Sequence, residues 1–216
     1  MSSPPLLVAI TDTERAPMAV WLARLEPLLA AAPPGGVLVM LRDRQLPARS
    51  RQAFGLELRE LTRRHAQRLG VNDRLDLAVL CDADALHLSG SSVGVPEARA
   101  FGRRYDRDWW ISSACHDPEL AGTSQADGLL LSPIAEARKG RPALGAPALA
   151  RARALLDARG PERAPRLFAL GGVVPANAAE LLRAGADGVA LIGALLEPGA
   201  PRALLDSLAQ ARSASV

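Results

Sequence analysis

Aromatic side chains are scarce in this sequence, since Phe, Trp and Tyr together make up 3% of its 216 residues. Proteins that bind single-stranded nucleic acids stack bases on aromatic rings along a basic groove, and this chain has few rings for such a surface. Lys and Arg exceed Asp and Glu only by 26 to 23, and the arginines are scattered rather than gathered in a block. The composition therefore argues against a nucleic-acid partner.

Cysteines and long apolar runs are scarce as well. The two cysteines, Cys81 and Cys115, form no metal-binding pattern and cannot suggest a disulfide framework in a chain of this size, so we expect reduced, buried thiols. Residues 1–5 lack the basic region and apolar core of a secretory signal, and no run of about 18 apolar residues follows. We therefore expect a soluble, cytoplasmic protein without a membrane partner.

What the sequence does contain is a series of short apolar runs, most of which lead into a longer stretch with helical spacing. The eight runs are Leu6–Ile10, Val37–Leu41, Leu69–Asn72, Ala85–Leu88, Trp109–Ser113, Gly128–Leu131, Arg166–Leu170 and Gly188–Ile192. Continuous apolar character is typical of parallel strands that helices cover on both faces. The pattern predicts an α/β fold, either an open doubly wound sheet or a closed parallel barrel, and eight units in this length favour the TIM (β/α)8 barrel.

Helical patterns separate the predicted strands. The predicted helices include Met18–Ala31, Arg49–Gln67, Pro96–Tyr105, Ala146–Arg159, Pro175–Ala184 and Pro201–Arg212. Several begin at proline, which suits a first helical turn. No linker or low-complexity tract divides residues 1–216, and 49% of them are hydrophobic, so we expect one domain with a sizeable core. The Pro- and Gly-rich segment Arg138–Pro147 predicts a long loop after the sixth strand.

Glycines follow the last two predicted strands. Gly171 and Gly172 come directly after the seventh, and Gly193 follows Ile192 at the end of the eighth. Glycine lets backbone amides approach an anion closely, and barrels often bind phosphate at the loops after strands seven and eight. The alternative is that such glycines only make tight turns, which fully explains Gly185. We favour phosphate binding for Gly172 and Gly193.

Seven segments in order resemble the thiamine phosphate synthase/TenI family. They are Leu7-Val8-Ala9-Ile10-Thr11-Asp12, Val39-Met40-Leu41-Arg42-Asp43-Arg44, Asn72-Asp73-Arg74-Leu75-Asp76-Leu77-Ala78, Asp84-Ala85-Leu86-His87-Leu88, Ser113-Ala114-Cys115-His116, Ser132-Pro133-Ile134, and the glycine turns after strands seven and eight. Each motif is weak by itself, whereas all of them in register are specific. The resemblance implies a (β/α)8 barrel and covers the chain from Leu7 to about Leu196.

The resemblance implies one of two chemistries. Thiamine phosphate synthases join a pyrimidine pyrophosphate to a thiazole phosphate, with Mg²⁺ and cationic side chains drawing off pyrophosphate. TenI-type relatives instead isomerise a thiazole carboxylate phosphate by moving a proton, so they need a phosphate site and an acid/base but no cofactor. In either case the partner is a small thiazole phosphate. The sequence does not decide whether the protein forms a homo-oligomer.

This chain has some, but not all, of the residues that bind ligands in the family it resembles. Arg42 stands at the family's anion-binding arginine, and Asn72 and Asp73 stand at its third-strand signature, with Asp73 as the first magnesium carboxylate. The second carboxylate is replaced by Ser92, and a hydroxyl is a poor substitute because Mg²⁺ on a pyrophosphate is usually fixed by one or two carboxylates. Arg44 replaces the family's lysine. Asp73 would then be a weak metal ligand.

Other positions also depart from the synthase pattern. Met40 replaces a glutamine, which removes an amide that could bind the pyrimidine, and the loop after strand six keeps only Lys139 as a gap-dependent match. The segments Arg42-Asp43-Arg44 and Ser89-Gly90-Ser91 resemble the TenI branch, whereas Asn72-Asp73-Arg74 resembles the synthases. The chain mixes features of both branches.

Of the three histidines, His116 is the predicted acid/base. It follows the fifth strand and matches the histidine that transfers the proton in TenI-type tautomerases. The alternative is a hydrogen-bonded histidine at the barrel rim, while His87 is expected to pack inside the barrel.

These residues lead to three hypotheses. The first is a TenI-like protein that isomerises a thiazole phosphate, with catalytic Arg42 and His116 and with Arg44, Asn72 and the amides of residues 171–172 and 192–193 on the ligand. The second is a thiamine phosphate synthase with an altered metal site. The third is a catalytically silent protein that binds a phosphate ligand.

Overall fold

The protein is an eight-stranded parallel barrel with intervening helices. We describe residues 5–138, 140–160 and 164–213 of a computed structural model. The strands follow one another as neighbours in a closed barrel in the order β1 to β8. They are β1 Leu7–Ile10, β2 Val37–Leu41, β3 Arg68–Asn72, β4 Ala85–Leu88, β5 Trp110–Cys115, β6 Gly128–Leu131, β7 Arg166–Leu170 and β8 Gly188–Leu191. The predicted fold class is therefore confirmed.

Five strand boundaries differ from the prediction by one or two residues. The largest difference is in β5, which runs from Trp110 to Cys115 instead of from Trp109 to Ser113. Trp109 stays outside the strand because its buried ring stacks on Phe101, with ring centroids 6.4 Å apart, while the N–H of Trp110 donates to the carbonyl of Asp84 at 3.1 Å. The remaining differences move β1, β3 and β8 by one residue at one end.

Seven α-helices are present in the described residues. They are α1 Met18–Ala31, α2 Ala48–Arg64, α3 Leu75–Leu80, α4 Val95–Arg103, α5 Gly145–Asp157, α6 Pro175–Arg183 and α7 Ala200–Ser213. Two 3₁₀ turns, Pro118–Thr123 and Gly193–Leu196, follow β5 and β8. None of the helices in the described part combines the length and apolar character needed to traverse a bilayer.

The six predicted helices are correct in place, and five of them are shifted at one or both ends. Helix α1 has its predicted bounds, whereas α2 ends at Arg64 because the N–H of Gln67 donates to the carbonyl of Thr62 and draws the chain into β3. Helix α5 begins at Gly145, inside the segment predicted as a loop. Helix α3 was not predicted, because its six residues are too few to show a helical period.

The chain divides into two compact units, Met1–Ile111 and Ser112–Val216. In the first unit, Trp21 of α1 and Phe54 of α2 are completely buried. In the second unit, Phe168 of β7 and Leu149 of α5 are completely buried. Each unit thus has helices that cover its strands with large apolar side chains, which removes the apolar strand residues from water.

An aspartate anchors a neighbouring strand in each unit. Asp84 lies just before β4, donates its N–H to the carbonyl of Leu69 and accepts the N–H of Leu69 on Oδ2, both at 2.8 Å. Asp187 lies just before β8 and makes the same two bonds with Leu167, at 2.7 and 2.8 Å. Arg59 pairs with Asp84 at 2.7 Å. These contacts set where β3 and β7 begin relative to the next strand.

Candidate functional site

Arg42 lies after β2 and is held by a carboxylate that follows β1. Its Nη2 lies 2.7 Å from Oδ2 of Asp12, and the backbone carbonyl of Asp12 accepts the indole N–H of buried Trp21 at 3.0 Å. The Arg42 side chain is 25% exposed. Because one nitrogen binds Asp12, the remaining N–H groups on its exposed side are available to an anion.

Asp43, the next residue, has a structural role. Its carboxylate is completely buried, accepts the N–H of Thr13 at 2.5 Å and accepts the hydroxyl of Thr11. These bonds tie the loop after β1 to the loop after β2. Asp43 therefore helps to position its neighbour Arg42.

Asp73 lies directly after β3 in a left-handed conformation, with φ of +62°. A non-glycine residue rarely adopts this φ, and such residues are concentrated at functional sites. Its Oδ1 accepts the N–H of Ser89 at 2.8 Å and the hydroxyl of Ser92, while Oδ2 lies 2.6 Å from Nη2 of Arg44. Burial opposes ionisation, but these hydrogen bonds and Arg44 outweigh it and hold the pKa of the Asp73 carboxyl below its ordinary value.

Arg51 is a site residue that the sequence reasoning missed. It lies in the first turn of α2, is 4% exposed, and donates from Nη2 to the backbone carbonyl of Asn72 at 2.7 Å. Burial and Arg74 lower the pKa of the Arg51 guanidinium, while Asp43 and Asp73 oppose that change. The guanidinium thus fixes the end of β3 beside two carboxylates.

Arg51 could have been recognised from the sequence because it lies on an otherwise apolar helix face. Arg51, Phe54 and Leu58 lie at spacings of three and four, and all three are buried. A charge on such a face, in a first turn where the helix dipole disfavours cations, needs acceptors inside the protein. Asn72 supplies one, and the amide nitrogen of buried Asn72 has no acceptor in the described part of the chain, which leaves a donor for a ligand.

In the second unit, His116 follows β5 and is exposed. Its Nδ1 lies 2.8 Å from the backbone carbonyl of Ser132. A carbonyl only accepts hydrogen bonds, so Nδ1 donates to it and Nε2 is the ring nitrogen left for a ligand. The thiol of Cys115 is buried and contacts the carbonyl of Asp117 at 3.1 Å, and burial raises the pKa of that thiol. Cys115 and His116 do not form a nucleophilic pair.

In the loop after β7, Gly171 and Gly172 have positive φ angles, a conformation that favours glycine. Gly172 has φ of +69°, and a Cβ there would lie 2.7 Å from Cβ and 2.8 Å from N of Glu136. Asn177 donates to the carbonyl of Gly172 at 2.9 Å and accepts the N–H of Val174 at 2.9 Å. The N–H groups of Gly172 and Val173 donate to no acceptor among the described residues. They are free to bind an anion.

Gly171 and the turn after β8 complete the predicted phosphate-binding residues. Gly171 has φ of +98°. Gly193 begins a 3₁₀ turn in which the N–H of Leu195 donates to the carbonyl of Ile192 at 3.3 Å. The first N–H groups of such a turn have no partner within the turn. Phosphate binding at these positions stays a prediction.

Two further sequence predictions concern the departures from the family pattern. Met40 is 1% exposed, and its side chain fills the space beside Gly70, where a Cβ would lie 2.8 Å from the methionine Cε. It is therefore packed against β3. Lys139 lies outside the described residues, whereas His87 is buried as predicted.

Comparison with known proteins decides the family. The family model described as thiamine monophosphate synthase matches residues 7–195. The chain belongs to the thiamine monophosphate synthase family. The thiamine-phosphate synthase of Natronomonas pharaonis is 36% identical over 190 residues, covering 85% of this chain and 86% of that protein. That of Methanoculleus marisnigri is 35% identical over 202 residues, covering 89% of each.

A solved structure supports the same assignment. The thiamine phosphate pyrophosphorylase from Pyrococcus furiosus superposes with a TM-score of 0.76 at 25% identity, covering 97% of this chain and 96% of that one. The family prediction is confirmed. The prediction of a thiazole tautomerase as the main function is wrong, because the relatives that match 85–89% of this chain are named thiamine-phosphate synthases and the solved structure is named a thiamine phosphate pyrophosphorylase. Arg44 and Ser92, which resemble the TenI branch, both contact Asp73 in this structure.

Synthase chemistry implies Mg²⁺, and the residues at Asp73 do not fit a magnesium site with two carboxylates. Among the described residues, no group of three or more His, Cys, Asp or Glu side chains could hold a metal ion. Ser92 hydrogen-bonds Asp73 at the place of the second acid, and Arg44 pairs with the other oxygen. The carboxylate is already used by protein donors.

Proposed function

We propose that this protein is a thiamine-phosphate synthase, which joins a pyrimidine diphosphate to a thiazole phosphate. The observation that carries the proposal is similarity of 35–36% along 85–89% of the chain to proteins of that name. In the reaction, the bond between the pyrimidine methylene carbon and the diphosphate oxygen breaks, and its electron pair leaves with the diphosphate. The lone pair of the thiazole nitrogen forms the new carbon–nitrogen bond.

In the first unit, Arg42 and Arg44 bind the diphosphate. Asp12 orients Arg42 through a 2.7 Å ion pair, and Asp73 orients Arg44 through one of 2.6 Å. Both guanidinium groups keep exposed N–H donors, and a planar fork of donors matches phosphate oxygens well. Negative charge develops on the diphosphate as the bond breaks, so fixed cations stabilise the transition state more than the ground state. The free amide of Asn72 can donate to the same ligand.

In the second unit, the backbone after β7 and β8 binds the thiazole phosphate. Among the described residues, the N–H groups of Gly172 and Val173 have no acceptor, and the first N–H groups of the turn at Gly193 have no partner within that turn. Gly171 and Ile192 set the backbone on either side of these donors. Oriented amides at the start of a helix bind phosphate through both hydrogen bonds and the dipole.

His116 is a ligand-contacting residue in this proposal. Its Nδ1–H is bound to the carbonyl of Ser132, which fixes the ring and leaves Nε2 as an exposed acceptor. Joining the two substrates needs no proton transfer at the thiazole nitrogen, so we assign His116 to orientation of a substrate and not to acid/base chemistry.

The test is turnover. The purified chain is given the pyrimidine diphosphate and the thiazole phosphate, with and without Mg²⁺, and thiamine phosphate is followed by mass spectrometry. We expect coupling, and we expect Arg42→Ala to slow it by roughly 10²-fold because one transition-state donor is lost. Arg49→Ala, an exposed arginine of α2, is the matched control and should couple at the parent rate.

Two outcomes would overturn the proposal. One is the absence of thiamine phosphate under all conditions although both substrates bind, which would identify a silent phosphate binder. The other is equal loss of rate in both arginine variants, which would mean that the change reports general surface charge.

A further inference from the structure

We propose that Arg44 takes the place of a metal ion at Asp73, so that this protein binds diphosphate groups without Mg²⁺. The inference rests on the proposed function for the identity of the ligand, but it concerns how the diphosphate is held. It assigns Asp73 to positioning an arginine and not to binding a metal.

The first support is the occupation of the Asp73 carboxylate. A carboxylate offers about four lone-pair directions. Oδ1 accepts both the N–H of Ser89 at 2.8 Å and the hydroxyl of Ser92, and Oδ2 lies 2.6 Å from Nη2 of Arg44. These three donors leave at most one direction, on Oδ2, and a metal ion there would lie beside the positive charge of the Arg44 guanidinium.

The second support is the state of the neighbouring carboxylates. Asp43 is completely buried and accepts from Thr11 and Thr13. Asp12 is 5% exposed and pairs with Arg42 at 2.7 Å. Mg²⁺ needs near-octahedral oxygen ligands and is usually held by one or two carboxylates. Neither neighbour is free to supply the second one.

The third support is the orientation of Arg44. Its side chain is 49% exposed, although Asp73 holds one of its nitrogens. A guanidinium has five N–H donors, so the pair leaves several donors directed to solvent while the side chain is held in place. A guanidinium cannot lose its charge at neutral pH, and it can bind two phosphate oxygens at once.

The experiment measures binding rather than turnover. Inorganic pyrophosphate is titrated into the full chain by calorimetry, once in EDTA and once with Mg²⁺, and Mn²⁺ binding without pyrophosphate is followed by electron paramagnetic resonance. We expect the parent chain to bind pyrophosphate in EDTA and to bind Mn²⁺ weakly. Arg44→Gln should weaken metal-free pyrophosphate binding by roughly 10- to 100-fold, the loss expected for one or two charge-assisted hydrogen bonds. The same variant should bind Mn²⁺ more tightly than the parent, because Oδ2 of Asp73 is released.

Two further variants check the assignment. Ser92→Asp should strengthen Mn²⁺ binding, since it adds a second carboxylate beside Asp73. Arg49→Gln, at an exposed position in the first turn of α2, should change neither affinity. Circular dichroism melting of each variant confirms that it is folded.

The proposal is overturned if the parent chain binds pyrophosphate only with metal, if it binds pyrophosphate in neither condition, or if Arg44→Gln lowers the affinity for Mn²⁺. These results are independent of the coupling assay. A chain that couples its substrates only with Mg²⁺ and binds Mn²⁺ tightly is a synthase in which this inference fails. A chain that binds pyrophosphate in EDTA but does not couple its substrates supports this inference and contradicts the proposed function.

Discussion

Replacing Arg51 by methionine tests whether the buried guanidinium holds the end of β3 in place. Methionine keeps much of the side-chain length and removes the charge and all donors. The backbone carbonyl of Asn72, which Arg51 contacts at 2.7 Å, then loses a charged partner in the interior. Asp43 and Asp73 also lose a nearby positive charge.

The size of the effect follows from these contacts. A hydrogen bond from a charged group contributes about 1.5–3 kcal/mol, and leaving the acceptor buried without a partner makes its loss costly. Removing a cation that is 4% exposed relieves part of its own desolvation and offsets some of the loss. We expect Arg51→Met to lower the free energy of unfolding by about 2 kcal/mol, and Tm by about 4–8 °C for a chain of this length.

The assay is urea unfolding at neutral pH, followed by circular dichroism. Arg49→Met, on the exposed side of the same helical turn, is the matched control and should stay within about 0.5 kcal/mol of the parent. Arg51→Lys should recover part of the loss, because one ammonium can still donate to Asn72. If Arg51→Met is as stable as its control, the buried guanidinium does not hold β3.

Two other predictions concern the loops. The folded state lowers the pKa of Asp73 below its unfolded value of about 3.9, so this carboxylate adds stability at neutral pH that is lost as pH falls through the folded pKa. The difference in free energy of unfolding between the parent and Asp73→Asn should therefore be large at pH 7 and shrink below about pH 4. Gly172→Ala places a Cβ 2.7 Å from Glu136 at a φ of +69°, so it should cost about 1–3 kcal/mol of stability and weaken binding of inorganic phosphate.

Each of these predictions has an internal control. Ser92→Ala removes a hydrogen bond that lowers the pKa of Asp73, so the pH-dependent part of the stability should be smaller than in the parent, and its loss should be complete at a higher pH. Gly160→Ala has a φ of +84° with no atom of the described residues within 4 Å of the new Cβ, so it measures backbone strain without a collision among those residues. Parallel pH profiles for the parent and Asp73→Asn, or unchanged phosphate affinity in Gly172→Ala, would contradict the respective argument.

The fold could be predicted from the sequence because strands buried on both faces are continuously apolar. All four residues of β1 and all five of β2 are buried, so each appears as a solid run. Short elements could not be predicted in the same way. Helix α3 has only six residues, and β5 leads into the 3₁₀ turn Pro118–Thr123 instead of an α-helix. Neither turn nor short helix has enough residues to establish a period.

For the candidate site, the sequence named residues that remain predictions, but Arg51 was not among them, and the sequence could not give the contacts. Arg42, Asp73 and Ser92 were expected near the ligand, but their partners depend on backbone conformation that no local pattern encodes. Asp73 reaches Ser89, Ser92 and Arg44 together because its φ is +62°. A regular strand conformation at that residue would direct the carboxylate elsewhere.

The position of an aspartate relative to a strand separates anchoring from ligand chemistry in this protein. Asp84 and Asp187 come just before β4 and β8, and each binds the backbone at the start of the preceding strand. Asp12 and Asp73 come after β1 and β3, and each binds an arginine that keeps exposed donors. Parallel strands of a barrel bind ligands beyond their carboxyl ends, while residues at the amino ends stabilise the fold. Asp84 and Asp187 thus fix where a strand begins, whereas Asp12 and Asp73 each hold an arginine, and we predict that these two arginines bind an anionic ligand.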